Sequence, residues 1–328
     1  MAHELTTRAD GYTEMAFVGS TPWHGLGQEL KQDASIEEWR TAAGMDWSIE
    51  SAPVQFISGI TQGTPQNTDP VMHLENFEGQ NVLYRSDTKA PLSIVSDRYK
   101  TVQPREVLEF FRDLVEESGF RLHTAGTLFG GRRLWALAET GRFAEVTKGD
   151  GIGGFLLLST SADKSLATTA RFTSIRVVCN NTLSMAASNT ANCVSFTHAR
   201  EFDHELMKAK LGAAVSAFDG FMLMSQHLQK QRVRLDEAKH FVAKILDSQY
   251  ITEDEPKENR TFRKIIDLFN GEAKGAELVG YTKWGLLNAV TEYYDHHLPA
   301  RTDDARLNST WFGNGDAVKA KAIEVLTA

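Results

Sequence analysis

Residues 120–137 read FRLHTAGTLFGGRRLWAL, two short β-forming stretches on either side of a glycine pair. The first stretch runs from Phe120 to His123 and on to Gly126, and the second runs from Arg132 to Leu137. Glycine adopts positive φ without a steric penalty, so Gly130-Gly131 predicts the turn of a β-hairpin. A second glycine-rich turn, GDGIGG at 149–154, precedes the strand-like run FLLLST. These stretches therefore predict a mainly antiparallel sheet.

The segments before and after this hairpin extend the same sheet and add one helix to it. Residues 50–102 and 174–179 contain further short apolar or alternating runs that are typical of strands. Pro104 suits the first position of a helix, apolar residues follow at helical spacing, and Gly119 ends the pattern. An earlier short helix begins after a cap at Asp33 or Ser35 and ends at Gly44.

From about residue 202 onward, nearly every apolar pattern has the period of a helix. A β-rich first half followed by an α-rich second half predicts the α+β class, with a mainly antiparallel sheet and a packed helix first and a helical second half. We divide the chain into an N-terminal arm with a short helix (1–50), an α+β core built on the antiparallel sheet (51–200) and a helical region (201–328).

The composition is that of an ordinary globular protein. The chain has 328 residues, of which 41% are hydrophobic and 24% are charged, and its net charge is −8. No apolar run approaches the ~18 residues of a membrane helix, and the first residues lack the apolar segment of a secretion signal. Two cysteines and no CxxC favour a reducing compartment, which we expect to be the cytoplasm.

The sequence lacks the common motifs of catalysis. It has no Walker-type phosphate loop, HExxH, GxSxG, kinase or deaminase signature. The GDGIGG run is not followed by the helix that a dinucleotide loop requires. The spacing of the ten histidines gives only a weak metal signal, although a dispersed site using His123, His198 and His204 stays open. We expect a non-enzymatic protein with no cofactor and no metal.

One segment has an unusual charge pattern. Residues 164–200 contain no Asp or Glu, while fifteen of these 37 residues are Ser, Thr or Asn. Hydroxyl, amide and guanidinium groups donate to phosphate oxygens, and here no carboxylate in the segment repels them. The pattern predicts a surface that binds nucleic acid or another anion, and the alternative is a polar strand–turn–helix region whose side chains form structural hydrogen bonds.

We take the candidate anion-binding residues from this segment and from two other basic stretches, 98–100 and 132–133. They are Arg98, Lys100, Arg132, Arg133, Lys164, Arg171, Arg176, Asn180, Asn181, Thr182, His198 and Arg200. Tyr99 and Phe129 are candidates to stack on bases, and core packing is the alternative role for both rings. Arg171 and Arg176 are five residues apart, so an undistorted strand places them on opposite faces.

The string from Arg176 to Leu183 resembles the R-V-V-C-x-N-T-L signature of a phage- and plasmid-borne family of proteins of unknown function. Further matching pieces are PWHGLG at 22–27, SDRYK at 96–100, GTLFGGRRLW at 126–135 and FTH at 196–198. The resemblance covers most of residues 15–300 and implies a mobile-element protein without an assigned activity, which acts in the cytoplasm of a bacterial host. The predicted sheet and helix are also similar, at the level of fold alone, to phage single-strand annealing proteins.

These observations lead to two hypotheses about function. The first is binding of single-stranded nucleic acid in recombination or replication, with annealing by a homo-oligomer, and with no membrane partner. The second is an anti-defence or host-takeover protein that binds a host protein or sequesters a nucleotide signal. Arginines that converge on an open groove favour the first, arginines around a closed pocket favour the second, and arginines scattered into salt bridges favour neither.

Overall fold

The fold was determined from a computed structural model. It describes residues 6–8, 10–19, 26–62, 70–176, 178, 181–184, 193–198, 203, 217–246, 259–300 and 303–328. Within these ranges the α+β class is confirmed, because antiparallel strands dominate the first half and helices dominate the second. The predicted helical stretch before residue 217 lies outside the described residues, apart from Asp203.

The strands form two sheets. Their bounds are β1 Met15–Val18, β2 Gln28–Leu30, β3 Ile49–Thr61, β4 Val71–Arg85, β5 Pro91–Ser96, β6 Arg121–Leu128, β7 Arg133–Glu145, β8 Gly151–Ser161, β9 Thr168–Arg176, β10 Asn181–Ser184 and β11 Cys193–Phe196. The larger sheet has the order β10-β9-β8-β7-β6-β1-β2, and β11 also pairs with β9. The smaller sheet has the order β3-β4-β5.

The helices are mostly short and amphipathic. Their bounds are α1 Ile36–Ala42, α2 Pro104–Ser118, α3 Ala217–Gln229, α4 Leu235–Ile245, α5 Arg260–Asp267, α6 Ala276–Val279, α7 Lys283–Glu292, α8 Asp303–Phe312 and α9 Asn314–Thr327. Ser35 caps α1, since its hydroxyl accepts from the amide of Glu38 while the Glu38 carboxylate accepts from the Ser35 amide. Pro104 is the first residue of α2, as its sequence position predicts.

The predicted glycine hairpin is confirmed. Strands β6 and β7 pair antiparallel and are joined by a short 3₁₀ turn, Phe129–Gly131. Gly130 has a φ of 70° and Gly131 has a φ of 93°, values that a residue with a side chain seldom adopts. A Cβ on Gly131 would also lie 2.6 Å from the Trp47 ring, so both backbone conformation and space require glycine there.

The larger sheet buries both faces. On the inner face, small and aliphatic side chains of β7, β8 and β9 such as Ala136, Leu156 and Ala170 join the main core with α2 and the C-terminal helices. The opposite face, called here the α8 face, packs Trp135 and Leu157 against Leu307 and Trp311 of α8. This arrangement explains why β7 and β8 are apolar at successive positions instead of alternating.

A buried ion pair connects the two sheets. The Arg85 guanidinium of β4 donates to the Glu14 carboxylate at 2.7 and 3.0 Å, and Thr127 of β6 donates to the same carboxylate at 2.6 Å. Arg85 also lies 4.2 Å from the centre of the Trp47 ring. The fixed geometry of these contacts sets the position of the smaller sheet against the larger one.

In the described part of the chain, none of the helices has the length and apolar character needed to span a lipid bilayer.

Candidate anion-binding site

The loop between β8 and β9, residues 162–167, brings most of the predicted basic residues to one end of the larger sheet. The amide of Ala162 donates to the carbonyl of Arg132 at 2.7 Å. The hydroxyl of Ser165 accepts from Nη2 of Arg133 at 2.7 Å, and the carbonyl of Leu166 accepts from Nε2 of His198 at 3.0 Å. The loop therefore contacts the β6–β7 turn and the segment after β11.

An aromatic stack stands beside this loop. The rings of Tyr99 and His198 lie nearly parallel, at 22°, with their centres 4.6 Å apart. The Tyr99 hydroxyl donates to the carbonyl of Ser161 at 2.7 Å. Burial raises the pKa of Tyr99 to about 12, and the charge of Asp163 acts in the same direction, so the phenol keeps its proton at neutral pH. Nδ1 of His198 lies 3.0 Å from the carbonyl of Lys100.

Four cationic side chains are exposed around the stack and the loop. They are Arg98, Lys100, Arg132 and Lys164. Two carboxylates in the same region are engaged locally, because Asp97 accepts from the Asn81 amide at 2.7 Å and Asp163 accepts from the backbone amide of Ser165 at 3.0 Å. We call these four cations, together with the Tyr99–His198 stack, the loop surface.

Arg133 and Arg171 lie under α8 rather than on the loop surface. Arg133 is 7% exposed, and its guanidinium carbon is 5.3 Å from the centre of the Phe312 ring. The guanidinium carbon of Arg171 is 5.6 Å from the same ring centre, and its Nη1 donates to Asp316 at 2.7 Å. Burial lowers the pKa of the Arg133 guanidinium, an effect that the charge of Asp163 opposes.

Arg176 lies on the other side of the sheet. The β8–β9 register runs without a bulge from Thr169 to Arg176, so Arg171 and Arg176 face opposite sides, as their spacing predicts. Nε of Arg176 donates to Asp150 at 2.5 Å, and its Nη atoms donate to the carbonyls of Lys274 and Gly275. With 3% of its side chain exposed, Arg176 is part of the inner core and does not join the other arginines.

The remaining predicted residues are distributed as follows. Asn180 and Arg200 lie outside the described residues, whereas Asn181 and Thr182 lie in β10, where the structure describes the backbone alone. Phe129 is the first residue of the β6–β7 turn, and its ring centre lies 5.8 Å from the Arg133 guanidinium carbon. This contact makes Phe129 an arginine partner, and base stacking by it stays a prediction.

The sequence reasoning missed the groups that surround the two arginines under α8. Trp135 follows Arg133 by two residues, and strand periodicity alone places both side chains on one face. No sequence signal points to Phe312, Ser165 or Asp316, because they reach the arginines from distant segments.

The histidines do not form a common centre in the described structure. His123 packs edge-on against Phe155 with ring centres 5.3 Å apart, and its Nε2 lies 4.0 Å from Glu139, whereas His198 stacks on Tyr99. His204 lies outside the described residues. Among the described side chains, no group of three His, Cys, Asp or Glu residues is arranged to hold a metal ion.

Comparison with known proteins gives one result. The family model described as "Domain of unknown function (DUF932)" matches residues 91–311, which is well over half of the chain. The chain belongs to the DUF932 family. The region matched in this DUF932 protein runs from β5 through α8 and includes the loop surface and both arginines under α8. No curated protein and no solved structure has a significant match to the chain.

Proposed function

We propose that this DUF932 protein binds single-stranded nucleic acid at the loop surface. The observation that carries the proposal is the convergence of three separate chain segments, 98–100, 132 and 162–167, which present four exposed cations beside one aromatic stack. Single-strand binders combine cations that follow the phosphate backbone with aromatic faces on which bases stack. The net charge of −8 does not oppose this, since a local cationic surface is sufficient for binding.

The two parts of the loop surface have different roles in this proposal. Arg98 and Lys164 form no ion pair with the described residues, so both charges are available for phosphates. Tyr99 is held in place by its hydrogen bond to Ser161, and each ring nitrogen of His198 lies 3.0 Å from a backbone carbonyl oxygen, of which one accepts a hydrogen bond from the ring. Tyr99 also packs against the main core, so this ring pair loses little entropy when a base stacks on it.

We also propose that the protein self-associates through the outer part of the β3–β4 hairpin. Beyond the region paired with β5, residues 55–61 and 71–76 form a two-stranded ribbon with no third strand among the described residues. An isolated two-stranded ribbon is only marginally stable in water. Large apolar side chains nonetheless stand exposed along it, which is typical of a surface that another protein covers.

One face of the ribbon suits a second copy of the same chain. Ile57 pairs with Leu74 and Ile60 pairs with Met72, and these four side chains are 52–62% exposed on one face. The same face continues into an uncharged pair, Gln55 and Asn76, joined by a hydrogen bond of 2.9 Å. A two-fold interface brings a patch against itself, so a face without charge meets no like-charge repulsion. Glu75 lies on the opposite face of the ribbon.

The test of nucleic-acid binding is fluorescence anisotropy with labelled single-stranded DNA at about 50 and 200 mM salt. The variant Arg98→Gln with Lys164→Gln removes two exposed charges, and Arg121→Gln is the matched control because Arg121 is exposed at the far end of β6. Each lost phosphate contact lowers the slope of log K against log salt by about 0.7.

We expect the double variant to weaken binding and to reduce that slope by about 1.4, while Arg121→Gln behaves like the wild type. Absence of wild-type binding at both salt concentrations, or equal loss in the control, refutes binding at the loop surface.

Light scattering on Leu74→Lys tests self-association separately. A multimer that persists in this variant, or a monomeric wild type, refutes the ribbon interface and leaves a host-protein partner as the occupant to seek.

A second candidate function is binding of a small phosphorylated ligand. The observation that favours it is the pair of arginines enclosed under α8, with Phe312 over both guanidinium groups. Ligand screening by thermal shift with nucleoside monophosphates tests this function, and a melting temperature unaffected by all of them excludes it.

A further inference from the structure

The α8 face buries four N–H groups that have no acceptor in the part of the chain the structure describes. They are Nε and Nη1 of Arg133, Nε of Arg171 and Nε1 of Trp135. Buried donors in folded proteins nearly always have a partner, because an unpaired one loses its hydration without compensation. A buried side-chain oxygen of Asn308 on α8 likewise has no partner among the described residues, so it accepts from none of these donors.

The four donors belong to one face of the sheet. Arg133 and Trp135 are two residues apart on β7, and Arg171 pairs with Leu157, whose side chain lies on the same face as that of Trp135. The Phe312 ring connects the two arginines, since both guanidinium carbons lie within 5.6 Å of its centre. Trp311, the residue before it, packs against Trp135 at a centre-to-centre distance of 4.9 Å.

The charges of this cluster do not cancel. Arg171 has a carboxylate partner in Asp316, whereas Arg133 forms no direct ion pair with a described residue and donates to the hydroxyl of Ser165, which in turn donates to Asp163. The matching occupant is therefore negatively charged and rich in acceptors. A single water molecule accepts only two hydrogen bonds and brings no negative charge, so it satisfies fewer of these donors than an oxyanion does.

From this geometry we propose that the Arg133–Arg171–Trp135 cluster is a binding site for an oxyanion of the phosphate class. A phosphate group has several acceptor oxygens in tetrahedral arrangement, and guanidinium groups bind such oxygens with short, charge-assisted hydrogen bonds. Phe312 covers the two guanidinium groups, so the ligand displaces this ring as it enters. The same chemistry is supplied by a free phosphorylated metabolite or by a phosphate of a nucleic acid.

This site is separate from the loop surface. It rests on and deepens the second candidate function, and its test is independent of the proposed binding of single-stranded nucleic acid. The melting temperature of the full-length protein is measured against inorganic phosphate, with sodium chloride at matched ionic strength as the control. A site that is filled at about 100 times Kd raises the melting temperature by about 5–10 °C. Arg133→Met removes the donors at similar length, and Arg121→Met removes an exposed arginine far along β6 as the matched variant.

The proposal predicts a two-part signature for Arg133→Met. In the absence of phosphate, the melting temperature stays unchanged or rises, because an apolar side chain replaces an unpaired buried charge. The apparent affinity for phosphate, measured from the shift in melting temperature, falls at least about tenfold. Arg121→Met keeps the wild-type response. Phe312→Ala, which uncovers both guanidinium groups, binds phosphate more tightly than the wild type.

Either of two outcomes refutes the proposed phosphate site. If phosphate leaves the wild-type melting temperature unchanged, the donors are hydrated and not ligated by an anion. If Arg133→Met responds to phosphate like the wild type, the anion binds elsewhere. Once phosphate binding is shown, two further comparisons identify the molecule that carries the phosphate. One compares a nucleoside 5′-monophosphate with the nucleoside, and the other compares a 5′-phosphorylated oligothymidylate with its 5′-hydroxyl form. Binding of phosphate without any binding of DNA refutes the proposed function and leaves this site standing.

Discussion

Substitution of Arg176 tests whether this arginine stabilises the fold or binds the ligand. The guanidinium is buried on the inner face, where it pairs with Asp150 at 2.5 Å and donates to two backbone carbonyls of the 274–275 segment. The other oxygen of Asp150 accepts from Nε1 of Trp284 at 2.8 Å, and the Asp150 side chain is fully buried. One side chain thereby joins β9, the β7–β8 turn and α7.

The cost of Arg176→Met follows from what it leaves behind. Asp150 remains as a buried carboxylate without its cation, and the two carbonyls lose the Arg176 donors. Breaking one partner of a buried ion pair costs about 3–5 kcal/mol. For a chain of this size, about 2–4 °C of melting temperature corresponds to 1 kcal/mol, so we expect a decrease of about 6–20 °C.

The assay is urea unfolding and thermal melting of Arg176→Met, of Asp150→Asn and of the double variant. Asparagine keeps an acceptor for Trp284 and removes the charge, so the double variant should recover most of the lost stability, a coupling that a double-mutant cycle measures. DNA binding by the folded fraction should not change. A melting temperature within about 2 °C of wild type, combined with weaker DNA binding, would show that Arg176 contacts the ligand and refute this reasoning.

Three further predictions concern other parts of the molecule. Tyr99→Leu removes a stacking face worth about 1–3 kcal/mol per base and should weaken single-strand binding about 5-fold to 150-fold, whereas Tyr99→Phe keeps the ring and most of the affinity in the same anisotropy assay. Burial lowers the pKa of His123, so the stability that its neutral ring contributes is present above about pH 6.5 and decreases as the pH falls below that value. Urea unfolding of His123→Gln between about pH 7 and 5 should therefore show a smaller decrease in stability than the wild type. A pH profile identical to that of the wild type contradicts this prediction. Glu14→Gln weakens the buried contact to Arg85 and should lower the melting temperature, while Glu78→Gln, at an exposed position of β4, should not.

The fold was predictable because its signals are local. Glycines at 130–131, a proline at 104 and a change from strand to helix periodicity each depend on neighbouring residues, and together they determine the α+β class and the central hairpin. Strand bounds were less predictable: β8 begins at Gly151 and not at residue 155, because the glycines of the predicted turn also pair with β7. Strands β3 and β4, with 13 and 15 residues, are also longer than the short apolar runs that predicted strands in residues 50–102.

The candidate site was predictable only in part, because charge pattern shows which residues are basic and not which face they occupy. Spacing correctly separated Arg171 from Arg176, and the acid-free segment pointed to the region of the loop surface. Whether each arginine is buried or exposed depends on partners that are distant in the sequence, such as Asp150 for Arg176 and Asp316 for Arg171. Likewise, the enclosure of Arg133 depends on Phe312, which lies far along the chain and has no distinguishing sequence pattern.

The most direct test of nucleic-acid binding at the loop surface is photocrosslinking of the full-length protein to single-stranded DNA that contains 4-thiothymidine, followed by mapping of the crosslinked peptides. The account predicts crosslinks in peptides that contain Tyr99, residues 162–167 or His198, and their loss when unlabelled single strands or high salt compete. Crosslinks confined to the C-terminal helices α3–α7, or to no peptide at all, would contradict it.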